Sequence, residues 1–172
     1  MSKFFIAAIL ATLSFSAVDA QDFDTSMSSY GLVDIQSIDD EILVELKYSS
    51  TDNFVGEDMY GNLERAYFEP SFADRVVKAQ QILKRRNPNY TLLIYDAARP
   101  ISVQRHMRKV VEGTQFEGFV ADGTKGGRHN YGVAVDLTIA QIDGSPLDMG
   151  AEFDDFSKAA SVKGTPDTDD PA

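Results

Sequence analysis

No cysteine occurs anywhere in the 172 residues, and that absence constrains the fold more than any residue present. Without disulfides, a cysteine-ligated zinc or an iron–sulfur cluster, the chain has to be held together by a hydrophobic core. The material for one exists, since 43% of the residues are apolar, and the length suits one domain rather than two. The same absence removes a cysteine nucleophile and a lipid anchor on an N-terminal cysteine. Only two histidines are present, His106 and His129, so a three-histidine metal site cannot form within this chain.

Charge narrows the partners. The 27 acidic side chains outnumber the 16 basic ones for a net charge of −11, a surface that repels phosphate backbones. Nucleic acid is therefore not an expected partner. The densest basic stretches, Lys84-Arg85-Arg86 and Arg105 to Lys109, fall in helix-like segments and read as solvated helix faces.

Residues 1–20 read as an export signal. Lys3 supplies the positive start, Phe4 to Phe15 form the apolar run, and Val18-Asp19-Ala20 places small residues where a signal peptidase reads. The run is shorter than the roughly twenty residues that span a bilayer, and no later segment is long and apolar enough to do so. The expected product is a soluble, exported protein, periplasmic or secreted, beginning at Gln21. Residues 21–160 read as its domain. Residues 161–172, acidic and nearly devoid of apolar side chains, read as a disordered tail or an unfinished segment.

The domain reads as α+β, a small antiparallel sheet with flanking helices. Residues 42–48 alternate as a strand, with Ile42, Val44, Leu46 and Tyr48 on one face. A polar loop follows through Asp52-Asn53, Gly56 and Gly61-Asn62. Ser71 and Asp74 resemble a capping pair for a helix whose Phe72, Val76, Ala79 and Leu83 recur at helical spacing, ending at Asn87-Pro88. Thr91 to Tyr95 reads as a buried strand. Pro100 suits the first turn of a second helix, which carries Val103, Met107, Val110 and Val111 and ends at Gly113. The loop 113–128, with Gly113, Gly118, Gly123, Gly126 and Gly127, is long enough to mark function. Residues 133–139 then alternate, Val133, Val135, Leu137 and Ile139 on one face and Asp136 on the other, and Asp143-Gly144 turns the chain.

That last strand is where chemistry begins. His129 precedes Asp136 by seven residues, and a curl at Gly132 can set the imidazole beside the carboxylate. Nitrogen and oxygen donors of this kind suit zinc, although such a pair taken alone is more often a structural hydrogen bond than half a metal site.

The wider string Gly127-Arg128-His129-Asn130-Tyr131-Gly132-Val133-Ala134-Val135-Asp136 resembles the S-x-H-x-x-G-x-A-x-D signature of zinc D,D-peptidases. Three other stretches resemble the D-alanyl-D-alanine dipeptidases of the vancomycin-resistance type. These are Leu46-Lys47-Tyr48 with Asp52 to Gly56, Tyr95-Asp96-Ala97-Ala98-Arg99-Pro100 as a D-x-x-R-P turn, and Met149-Gly150 with Phe153-Asp154. The resemblance implies the D,D-peptidase/hedgehog-like zinc peptidase fold, Zn2+ as cofactor and D-Ala-D-Ala as substrate. It assigns His129 and Asp136 as metal ligands. Arg99 becomes the transition-state stabiliser, a helix-start salt bridge being the plainer account of it. Asp154 is matched to the carboxylate that pairs with the substrate amino group. Tyr48 is placed in the same pocket, or is an ordinary half-buried strand tyrosine. His106 matches nothing in the family.

Two departures are visible. The first Ser of the signature is Gly127 here, and the family's C-terminal E-x-x-H element, source of the general base and the third ligand, does not occur in these residues. The expectation is a zinc dipeptidase of cell-wall turnover or dipeptide salvage, inactive as this chain because it is incomplete or truncated. The alternatives are a non-catalytic binder of D-Ala-D-Ala-type wall peptides or a D,D-carboxypeptidase.

Overall fold

The structure, a computed structural model, describes residues 22–157 and 160. The expected export signal at 1–20 and the acidic tail at 161–172 lie outside the described residues. Strand β4 (Tyr90–Asp96) carries the architecture and is buried from Thr91 to Asp96. Its run Thr-Leu-Leu-Ile-Tyr is near-continuously apolar, as a strand covered on both faces requires. Leu92 and Ile94 join the main core, while Leu93 and Tyr95 meet Ala140 in a smaller cluster.

The expected α+β class holds, and the sheet around β4 is mixed. On one side β5 (Asp136–Gln141) runs antiparallel to it. On the other, β2 (Leu43–Val44) runs parallel, setting Leu43 against Leu93 and Val44 against Ile94. A parallel neighbour needs a long crossover, and the chain between β2 and β4 supplies it. That crossover includes β3 (Tyr67–Phe68), which pairs antiparallel with β1 (Val33–Asp34), and helix α2 (Pro70–Arg86).

The strand expected at 42–48 is shorter than its alternation implied. Past Glu45, whose N–H donates to the Ile94 carbonyl, the chain turns into a 3₁₀ turn at Lys47–Ser49. The Tyr48 carbonyl accepts from the N–H groups of Met59 and Tyr60 at 2.8 and 3.1 Å, so the next segment folds back onto it. Residues 50–66, expected as a polar loop, accordingly bury Tyr60, Leu63 and Ala66 almost completely. Its turns are set by Asn53, whose side-chain oxygen accepts from the Val55 and Gly56 N–H groups, and by Asp58, which accepts from those of Tyr60 and Gly61; Met59, Tyr60, Leu63 and Ala66 enter the core.

Helix α2 opens with Glu69, not with Ser71 and Asp74. The Glu69 carboxylate accepts from the Phe72 N–H at 3.0 Å, Pro70 occupies the first turn, and the Ser71 hydroxyl donates back to Glu69. The buried stripe is Ala73, Val76 and Gln80, and Ala79 is exposed. Gln80 is buried because it bridges elements. Its amide donates to Thr91 Oγ1 at 2.8 Å and its Oε1 accepts from the Leu92 N–H at 2.9 Å, which docks α2 on β4. Lys84, Arg85 and Arg86 complement the carbonyl end of the helix. Helix α3 (Ile101–Val110) buries Val103, Gln104 and Met107, and α1 (Phe23–Ser29) buries Phe23 and Met27. Among the described residues, no helix is long and apolar enough to cross a membrane.

Candidate active site

The register of β4 on β5 creates the site, because it sets Asp96 opposite Asp136. An irregularity between Ile94 and Asp96 re-aims the end of β4, and the chain leaves through Ala97-Ala98-Arg99. There it meets the turn at His129–Tyr131. The Arg99 N–H donates to the His129 carbonyl at 3.0 Å, and Asn130 Nδ2 donates to the Arg99 carbonyl at 2.9 Å. These bonds clamp two segments distant in sequence.

The curl at Gly132 requires glycine. Its φ is +68°, and a Cβ would sit 2.8 Å from the Glu69 nitrogen and 2.9 Å from Leu32 Cδ2. The Gly132 carbonyl accepts from the Glu69 N–H at 2.9 Å, which ties the curl to the start of α2.

His129 is oriented as a metal ligand would be. Its Nδ1 lies 2.8 Å from the Ala97 carbonyl, which can only accept, so the ring proton sits on Nδ1. The lone pair of Nε2 then faces Asp136, whose Oδ2 is 3.6 Å away. Two donors each about 2.0–2.1 Å from a tetrahedral ion stand about 3.3–3.4 Å apart, so the pair fits one divalent cation. Burial raises the Asp136 pKa and His129 partly offsets it, a carboxylate that a cation would relieve.

Asp96 also lies within this group, one ligand atom of each of Asp96, His129 and Asp136 falling within 4.8 Å of the others. Its chemistry is different. Fully buried, it accepts the Tyr60 hydroxyl on Oδ1 and the Arg99 guanidinium on Oδ2. A cation bound there would face Arg99, so Asp96 orients its neighbours, and His129 with Asp136 is the better placed candidate pair for a metal.

Arg99 is thereby fixed in place. It is 9% exposed, donates to Gln104 Oε1 at 2.9 Å, and lies 5.0 Å over the Tyr48 ring. Burial works against its charge, but the Asp96 carboxylate more than offsets it, so it stays a guanidinium. Burial beside Asp96 likewise keeps Tyr60 a phenol.

On the other side stands Asp154, which adopts a left-handed backbone at φ +59°. The Tyr48 hydroxyl donates to its two oxygens at 3.1 and 3.3 Å. Burial first, then the Asp136 charge, push its pKa up to about 6 against the relief from Tyr48. A left-handed non-glycine residue at such a point is strain that functional sites store.

The sequence-derived site residues Arg99, His129, Asp136, Asp154 and Tyr48 thus converge. His106 does not join them. Its Nε2 pairs with Glu57 at 3.0 Å on the surface. Three partners went unassigned in the sequence, Asp96, Tyr60 and Gln104. The i,i+3 spacing of Asp96 and Arg99 was a usable signal; nothing local marks Tyr60, 39 positions from Arg99.

Comparison with known proteins agrees with this geometry. Residues 28–168 match the family model described as D-ala-D-ala dipeptidase, whose members are metallopeptidases. The chain is 33% identical over 125 residues to a D-alanyl-D-alanine dipeptidase of Escherichia coli (strain K12), covering 73% of this chain and 62% of that protein. It is 29% identical to a D-alanyl-D-alanine dipeptidase of Synechocystis sp. (strain ATCC 27184 / PCC 6803 / Kazusa), covering 48% of this chain and 44% of that protein. The chain therefore spans less than two thirds of the length of these curated relatives. With both the extent of the match and the clustered site in view, the chain belongs to the D-ala-D-ala dipeptidase family.

Proposed function

We propose that this chain carries the substrate-holding side of a zinc-dependent D-alanyl-D-alanine dipeptidase. The observation that carries the reading is the separation of charge across one cleft. A fixed cation at Arg99 and a donor pair at His129 and Asp136 stand near a carboxylate at Asp154 whose close partners, the Tyr48 phenol and the Phe54 backbone N–H, carry no charge.

His129 Nε2 and Asp136 would hold the metal, and bound there, zinc supplies a Lewis acid and a nucleophile competent at neutral pH. Asp154, ionised above about pH 6, pairs with the ammonium of the dipeptide and fixes its register. Tyr48 stays protonated, because burial raises its pKa further, and holds that carboxylate in orientation. Arg99, kept dry and charged, donates to the carbonyl oxygen as negative charge develops on it. Its forks are pre-set by Asp96 and Gln104, so little reorganisation is needed.

No E-x-x-H stretch occurs in these 172 residues, so the group that would take the proton from water is not among them. Loss of a general base typically lowers the rate by about 10²–10⁴. This chain alone is therefore expected to bind D-Ala-D-Ala with negligible turnover, an outcome that a non-catalytic binder of D,D-dipeptides would share. Calorimetric titration with the dipeptide, with zinc present, tests the shared core of both readings. Binding that Asp154→Asn abolishes supports it, and no binding overturns it. Turnover by a longer product of the same gene, lost on changing His129, would select the enzyme.

Export to the cell-wall side is part of the proposal, motivated by the apolar run Phe4 to Phe15 and Val18-Asp19-Ala20. Terminal sequencing should find Gln21 first, and a retained Met1 in the cytoplasm would count against it.

A further inference from the structure

The wall that holds Asp154 continues beyond the cleft. Asp154 and Phe156 line two adjoining hollows. One is shared with Asp136, and the other, of about 350 Å³, is shared with Phe116 and Phe119. In the second, Phe119 stacks on Phe156 with centroids 4.4 Å apart. Phe116 lies 5.6 Å from Phe156, and Phe54 backs both at 5.4 and 5.2 Å. Phe119 is 60% exposed and Phe156 37%, so their ring surfaces are open to whatever enters.

This aromatic shelf is held before any ligand arrives. Arg108 donates to the Glu117 carboxylate at 2.6 Å and to the Val120 carbonyl at 2.9 Å, and Gln104 donates to the Ala121 carbonyl at 2.9 Å. Helix α3 therefore grips the loop from Phe116 to Ala121 with the same Gln104 that steadies Arg99.

We propose that the hollow takes the side chain of the substrate's amino-terminal residue, and that this residue is preferentially large and apolar rather than alanine. The inference rests on the dipeptide reading above and extends it to a substrate class. In a dipeptide the amino group and the first side chain leave the same carbon. A ligand whose ammonium pairs with Asp154 must place that side chain close to the carboxylate, and the aromatic hollow adjoins it. A methyl is about the size of one water, about 30 Å³, and occupies little of this space. A benzyl or isobutyl group would cover the ring faces of Phe119 and Phe156, in the edge-to-face or offset manner that aromatic pairs favour.

Calorimetric titration of the 172-residue protein, in the presence of zinc, with D-Ala-D-Ala, D-Leu-D-Ala and D-Phe-D-Ala tests this. D-Phe-D-Ala should bind about tenfold or more tightly than D-Ala-D-Ala, given about fourfold per buried methylene. Phe119→Ala should remove most of that ratio. Because Phe119 is largely exposed, its truncation should spare the unfolding midpoint, and Phe116→Ala serves as a second variant. Equal affinities in the unsubstituted protein, or a ratio that survives both substitutions, overturn the inference and leave the dipeptide reading standing. Failure of all three dipeptides to bind, or binding indifferent to Asp154→Asn, overturns that reading and the inference together.

Discussion

Asp96 and Asp154 are both carboxylates bonded to a tyrosine hydroxyl and within the field of Arg99, yet they sit in opposite circumstances. Asp96 is fully buried, has a guanidinium on one oxygen and a phenol on the other, and ends strand β4. Asp154 is half-buried, has the uncharged Tyr48 hydroxyl and Phe54 N–H as close partners, and is held in a left-handed backbone with its pKa pushed up to about 6. A carboxylate already matched to a cation is part of the framework. One that burial has made costly to ionise is ready for a cation that arrives from outside. Asp96 is thus matched to a cation within the fold, whereas the close partners of Asp154 are uncharged.

Removing Asp96 should break the comparison most severely. Asp96→Ala strands the buried Arg99 charge, and breaking such a pair costs about 3–5 kcal/mol. A large fall in the denaturation midpoint is expected, and a shift under 1 °C would show that Arg99 finds other partners or reaches water.

Gly132→Ala should come next, at about 2–3 kcal/mol, since a side chain there meets both a left-handed φ and the backbone of Glu69. If the variant unfolds at the same urea concentration as the parent, the close approach of the two segments is wrong.

Tyr60→Phe should cost about 1–3 kcal/mol, because Asp96 loses a buried hydroxyl partner. The matched change on the other side, Tyr48→Phe, should cost less, because Asp154 reaches water. Equal losses would erase the distinction between the two sides.

Asp154→Asn sharpens the contrast, because its sign is opposite. The folded pKa of about 6 lies above the ordinary carboxylate value, so the stabilising form is the protonated one. That stability is full below about pH 4 and is lost as pH rises through 6. The amide avoids the loss, so the variant should be more stable than the parent at pH 7–8, by about 1 kcal/mol once screening at a half-exposed group is allowed for. The difference should vanish near pH 4. Thermal unfolding across that range measures it, and a destabilised amide at pH 7.5 would refute the account.

Gly127→Ser should do least. No positive φ is involved, and a Cβ there meets nothing nearer than Asn130 Oδ1 at 3.7 Å. The unfolding free energy should move by no more than about 0.5 kcal/mol, whereas a clear loss would mean the turn tolerates no side chain.

Local pattern carried much of this protein. The buried strand around Leu92 to Ile94, the helix over 70–86 and the approach of His129 to Asp136 across the Gly132 curl all follow from residues near one another in the chain, whereas the D-x-x-R-P turn came from the family resemblance. Periodicity and turn chemistry are short-range physics, and they read out directly. What they could not show depends on distant contacts. The parallel pairing of β2 with β4, the exposure of Leu137 at 40% on a face expected to be buried, and the burial of Gln80 each depend on an element the local pattern does not see.

Tyr60 makes the limit clearest. Between Asp58 and Gly61 it looks like a turn residue, and only the fold-back of 50–66 onto Tyr48 carries it into the core against Asp96 and Arg99. The sequence named the residues expected to carry chemistry, through the resemblance of its motifs to a known family, because those motifs are written in the side chains themselves. Only the tertiary structure decided which carboxylate is neutralised and which is left for a ligand. That outcome depends on burial and on partners brought together from far apart in the chain, where the low dielectric makes each pairing, or its lack, count.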